Sequence, residues 1–129
     1  MDLFFRDLDA VPLPPREVRI KELRALPLPD NRRVRIYLEV TPFQKRPDGE
    51  ITITNSNGYE VASLSIIETI VTNMELTVHL RETEPEGEYS VSAIVFYPEK
   101  QEVEGSDEVI ESHDLKRIIV DQAETKFSI

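Results

Sequence analysis

The sequence predicts an all-β protein: an antiparallel sandwich of about seven short strands, preceded by an extended N-terminal arm. Three observations carry this. Apolar residues recur at every second position in several segments, the period that sends alternate side chains to opposite faces of a strand. Proline, glycine and asparagine turn signals separate those segments at short intervals. No stretch carries the 3.6-residue apolar period of an amphipathic helix. A chain of 129 residues is long enough for one two-layer domain and short for two, so residues 1–15 are read as the arm and 16–129 as the domain.

The arm carries Pro12, Pro14 and Pro15 among isolated apolar residues, which suits extended backbone. "REVRIKEL" alternates through Val18 and Ile20 and predicts a first strand, broken in "ALPLPDN" by Pro27, Pro29 and the Asp30-Asn31 pair. "RVRIYLEV" is the cleanest strand, with Val34, Ile36, Leu38 and Val40 on a core face and Arg33, Arg35, Tyr37 and Glu39 on a solvent face. "RPDGE" reads as a turn, and "EITITNSNGYEVASLSI" as a hairpin with Gly58 available for a positive φ. "IIETIV", residues 66–71, is too short to assign by period and is read as strand end and bend. "MELTVHLR" restores alternation through Met74, Leu76, Val78 and Leu80. "EYSVSAIVFYP" and "LKRIIVDQAETKFSI" supply the last strands, on either side of the acidic loop "EKQEVEGSDEVIESHD".

The unit "LTVHLRETEPEGEYSVSA" resembles the corner between strands E and F of immunoglobulin-like domains. Leu76 and Val78 match the end of strand E, Glu86, Gly87 and Tyr89 the corner, and Val91 stands where that family has its second cysteine, with Ala93 following. The resemblance implies an immunoglobulin-like sandwich. The absence of cysteine and tryptophan departs from the antibody type and suits a cysteine-free relative such as a fibronectin type III-like domain. It also implies a structural corner at Gly87 and Tyr89, with the Tyr89 hydroxyl bonded back to the backbone.

Charge and composition narrow the function. The net charge of −10 makes the phosphate term of nucleic-acid binding repulsive overall. That charge is concentrated: residues 82–114 hold eleven acids against Lys100, whereas residues 16–35 hold seven Arg or Lys against three acids. No apolar run approaches the roughly 20 residues of a membrane helix. Asp2, Arg6, Asp7 and Asp9 interrupt the place of a signal peptide, so a cytoplasmic location without membrane contact is expected. With no cysteine, disulfides and thiol chemistry are absent.

Candidate chemistry is sparse. His79 alternates with a core face and reads as an outer strand residue. His113, beside Glu111 and Asp114, belongs to the acidic loop, which lacks EF-hand spacing. No nucleophile elbow, phosphate-binding glycine loop or zinc motif is present, so no catalytic residue, metal or cofactor is expected. The informative feature is the strand "EYSVSAIVFYP". Tyr89, Val91, Ala93, Val95 and Tyr97 form its core face, while the opposite face changes from Ser90 and Ser92 to Ile94 and Phe96. Exposing both would forgo roughly 1.5 to 3 kcal/mol of burial per side chain. Phe4 and Phe5 of the arm, a second copy or a different protein could cover them. The expectation is a non-catalytic structural or protein-interaction module that self-associates. The competing expectation is a domain that binds a small ligand or divalent metal through loop 99–114.

Overall fold

In the computed structural model, residues 11–99 and 117–129 are described. Phe4, Phe5, His113 and nearly all of the acidic loop lie outside them. The described residues form seven strands: β1 (Ile20–Pro27), β2 (Arg33–Val40), β3 (Asp48–Thr54), β4 (Glu60–Ile66), β5 (Asn73–His79), β6 (Glu88–Pro98) and β7 (Arg117–Ser128). They make two sheets, ordered β1-β2-β5 and β4-β3-β6-β7, with antiparallel pairing at every neighbour. The protein is an antiparallel β-sandwich.

Alternation dictates the core. Val34, Ile36, Leu38 and Val40 of β2 face Ile51 and Ile53 of β3 and Tyr89, Val91, Ala93 and Val95 of β6, all buried between the sheets. Tight turns set the registers. Asp30 Oδ1 accepts the Arg32 and Arg33 amides at 3.0 and 3.1 Å, and Asn31 takes the left-handed backbone at φ 56° that asparagine tolerates. The Arg32 amide, then the Arg33 guanidinium donating to Asp30 Oδ2 at 2.6 Å, hold the Asp30 carboxyl pKa down at about 2. In the β3–β4 turn, Asn55 Oδ1 accepts the amides of Asn57 and Tyr59 and Gly58 supplies φ 85°.

Two local expectations need correction. The first strand runs over Ile20–Pro27, later than "REVRIKEL" suggests, because Pro15 opens a short 3-10 turn, Pro15–Glu17. Val18 is buried immediately after that turn. Pro27 is the last residue of β1, where the sequence places the break, and β1 is an edge strand. "RPDGE" is not a turn: Asp48 and Gly49 open β3 and pair with Phe96 and Val95. Gly49 packs against Ile66 and the β6 backbone, where a Cβ would stand 3.5 Å from Ile66 Cδ1 and the Ile94 carbonyl oxygen, at ordinary van der Waals contact.

Antiparallel connectivity gathers the N-terminal segment and the β2–β3, β4–β5 and β6–β7 connections at one end of the sandwich. The β1–β2, β3–β4 and β5–β6 turns lie at the other. At the first end Leu13 bridges Phe43, and its amide donates to the Pro42 carbonyl at 3.0 Å.

Candidate functional site

The β5–β6 corner is built around Tyr89. Its ring is fully buried and stacks on Phe127 with centroids 5.0 Å apart. Its hydroxyl accepts the Glu86 backbone N–H at 2.9 Å. Gly87, at φ 96°, turns the chain into β6 and exchanges backbone bonds with Ile129. Burial raises the Tyr89 pKa above 10, reinforced by the nearby Glu82 carboxylate. Glu82 Oε1 is itself buried with no partner meeting hydrogen-bond geometry, so its effect on the phenol is one of proximity rather than a formed bond. This constellation holds the corner together.

Ile94 and Phe96 lie on the outer face of the four-stranded sheet and are half-buried. The β6–β7 register sets Ile119 opposite Phe96 and Arg117 opposite Pro98. From there the Arg117 guanidinium lies 4.6 Å over the Phe96 ring and is held by Glu50 Oε2 at 2.8 Å. An arginine stem and head can shield an aromatic face in this way. This cover was missed in the sequence because Arg117 is about twenty positions from Phe96 and only the strand register joins them.

Among the described residues the most exposed apolar cluster is on the β4–β5 connection, which the sequence marks only as an ambiguous apolar run. Ile67 and Ile70 are 78% and 72% exposed and Val71 about half exposed. The loop is nevertheless tied down. Thr69 is buried; its amide donates to the Pro47 carbonyl at 3.1 Å, and its hydroxyl donates to the Val71 carbonyl at 3.0 Å. The Glu68 amide donates to Asp48 Oδ1 at 2.8 Å. Glu68 takes φ 43°, a left-handed conformation that costs an L-residue roughly 1–2 kcal/mol. The bonds around Thr69 offset that cost, and the result is a fixed loop with Thr69 turned in and both isoleucines turned out. Lys45 and Arg46, also exposed, border it through Pro47. Tyr97 anchors the same connection: its hydroxyl donates to the Lys45 carbonyl at 2.7 Å, and burial, then the Asp48 charge, raises its pKa.

An open groove of about 290 Å³ runs between the edges of β4 and β5, lined by Ala62, Leu64, Thr77, Val78, His79 and Arg81. His79 stands exposed on its rim. Among the described residues no group of three or more His, Asp or Glu side chains is placed to hold a metal ion, and no helix is long and apolar enough to cross a membrane.

Fold and surface together define an antiparallel all-β sandwich that presents a fixed apolar loop at one end. No known family pattern matches the chain, and no curated protein matches it in sequence. Among solved structures, the β-glucuronidase of Bifidobacterium dentium, complexed with coumarin-3-O-glucuronide, is similar at 17% identity and a TM-score of 0.44. The match covers 87% of this chain and 18% of the enzyme's, so this chain spans a small part of that protein's length.

Proposed function

We propose that the chain is a non-catalytic protein-interaction module on an immunoglobulin-like, fibronectin type III-like sandwich, which self-associates through its β4–β5 loop. The observation that carries this reading is the pair Ile67 and Ile70, held out in water by a loop whose own bonds and strained Glu68 leave it little freedom to fold them away. Burying each isoleucine against another surface would gain roughly 1.5 to 3 kcal/mol. A second copy offers the same apolar surface about a two-fold axis. The three-plus-four strand order and the Tyr89 corner support the family-level part of the reading.

Sedimentation over a wide concentration range tests it. The wild type is expected to associate reversibly at high concentration, and Ile70→Glu to sediment as monomer throughout, because association would bury an unpaired charge. Identical behaviour of the two proteins rules out this loop as the contact.

A further inference from the structure

We infer that the open groove between the β4 and β5 edges binds a small organic acid, with its carboxylate at Arg81 and its apolar body over Leu64 and Val78. The inference goes beyond the loop contact proposed above and does not rest on it.

Three observations point to this ligand. The first is the shape of the seam. The Arg81 amide donates to the Val61 carbonyl at 2.8 Å, and beyond that bond the two edges part into the groove of about 290 Å³. That is near the lower end of ligand pockets, about 300 Å³, and suits a small molecule. The second is the backbone. Leu80 N donates to the Arg32 carbonyl and Val40 N to the Thr72 carbonyl, so the even-numbered positions along β5 bond β2. Alternation then turns the peptide groups of Thr77 and His79 toward the groove. On the other side the Val61 carbonyl faces Arg81, and the same alternation turns the Ser63 peptide groups toward the groove from β4.

The third is the lining. Ala62 and Val78 are buried and Leu64 half-buried, which makes an apolar floor, whereas Ser63, Thr77, His79 and Arg81 stand exposed on the rim. Arg81 is fixed at the closed end: its Nε also donates to the Val61 carbonyl, at 3.4 Å, which leaves its Nη groups for another acceptor. Nη2 stands 3.9 Å from Glu60 Oε2, with both side chains more than half exposed, a contact weak enough for a ligand carboxylate to displace. Glu82, the next residue, has its Oε1 buried near the Tyr89 phenol and does not line the groove. In a chain of net charge −10, a fixed guanidinium beside groove-facing amides and an apolar floor selects a carboxylate on an apolar body. Its charge-assisted bond to Arg81 is roughly twice as strong as a neutral one, an advantage that a plain peptide strand at the same rim lacks.

The probe is hydrocinnamate, a phenyl ring on a short chain that ends in a carboxylate. Its control is hydrocinnamamide, which keeps the apolar body and loses the charge. Titrated into isotope-labelled full-length protein, the acid is expected to give saturable amide NMR shifts centred on Ser63, Leu64, Thr77 and His79, with a dissociation constant of about millimolar for so small a ligand. The amide should bind about tenfold more weakly, and Arg81→Gln should weaken the acid by about the same factor. Ile70→Glu, on the loop, should bind the acid as the wild type does. Equal affinity for acid and amide overturns the proposal, as does unchanged affinity in Arg81→Gln. Shifts that never saturate, or that centre away from the groove, overturn it too. Loss of binding in Ile70→Glu places the probe on the loop and likewise refutes the groove. If Arg81→Gln does not fold, the comparison of acid with amide on the wild type decides.

Discussion

Replacing Tyr89 by phenylalanine removes one oxygen from the middle of the β5–β6 corner, and the structure fixes how much should be lost. The ring remains, stacked 5.0 Å from Phe127, so no apolar burial is forfeited. What disappears is the acceptor for the Glu86 N–H at 2.9 Å. Glu86 is exposed, so its amide can turn to water, which keeps the cost near the net value of one hydrogen bond, about 1 kcal/mol. For a domain of this size that lowers the melting temperature by about 4 °C. Tyr37→Phe is the matched control: the Tyr37 ring lies under Arg24 at 4.5 Å, and that contact needs no hydroxyl, so stability should change by less than about 0.5 kcal/mol. Urea denaturation of the three proteins gives the comparison directly. Equal losses in both variants, or none in Tyr89→Phe, refute the corner as a source of stability.

Three further outcomes are expected. Tyr89 and Tyr97 both have pKa values raised above 10; below that value both phenols are protonated folded or unfolded, so their contribution to stability should be lost as pH rises past about 10, where the unfolded chain ionises first. An ultraviolet titration in which all four tyrosines ionise together before unfolding would contradict this. Gly87→Ala forces a side chain onto φ 96° and should destabilise by more than about 1 kcal/mol; an unchanged denaturation midpoint would count against the strain. Arg117→Ala removes the cover of Phe96 and the Glu50 pair, costing about 0.5–1 kcal/mol and raising the binding of an apolar-surface dye, whereas unchanged dye binding would show that the arginine shields nothing.

Much of this fold was legible in the sequence because strand period and burial report the same thing. Val34, Ile36, Leu38 and Val40 were assigned to a core face by alternation, and all four are buried. The core face of β6 was equally readable. Errors arose where a residue's local preference and its tertiary place diverge. Alternation alone started the first strand at Arg16, but Pro15 opens a 3-10 turn and β1 begins at Ile20, ending at Pro27 as expected. Pro-Asp-Gly usually turns, but here Asp48 and Gly49 pair with Phe96 and Val95 at the start of β3. The surface was harder to read. The face of Ile94 and Phe96 was visible as a pattern, whereas Arg117 as its cover depended on a cross-strand register that periodicity does not encode. The prominence of Ile67 and Ile70 depends on Thr69 turning inward beneath Pro47, a contact that no spacing rule in "IIETIV" announces.

Strand addition is the usual alternative to a loop contact in a β-protein, and the edges here argue against it. The β7 edge is engaged at Val120 and Asp121 by the start of β1 and the residue before it: the Arg19 guanidinium donates to the Val120 carbonyl at 3.3 Å, and the Ile20 amide donates to Asp121 Oδ2 at 2.8 Å. These contacts fall at an irregularity in the β6–β7 register between Val95 and Phe96, and a bulge of this kind further unsuits an edge for pairing. The β4–β5 seam is joined at its base, where the Arg81 amide donates to the Val61 carbonyl at 2.8 Å. Above that base it opens into the groove rimmed by Ser63, Thr77, His79 and Arg81. Water satisfies such a rim, and exchanging that water for a partner strand yields only the modest net gain of each hydrogen bond, about 1 kcal/mol, after ordering the strand at roughly 1–2 kcal/mol per residue. Ile67 and Ile70 are in the opposite position. Water gives them nothing that a partner must replace, and the loop beneath them is already ordered, so their burial carries little offsetting cost. On that balance the proposed contact belongs at the loop end and not at a sheet edge.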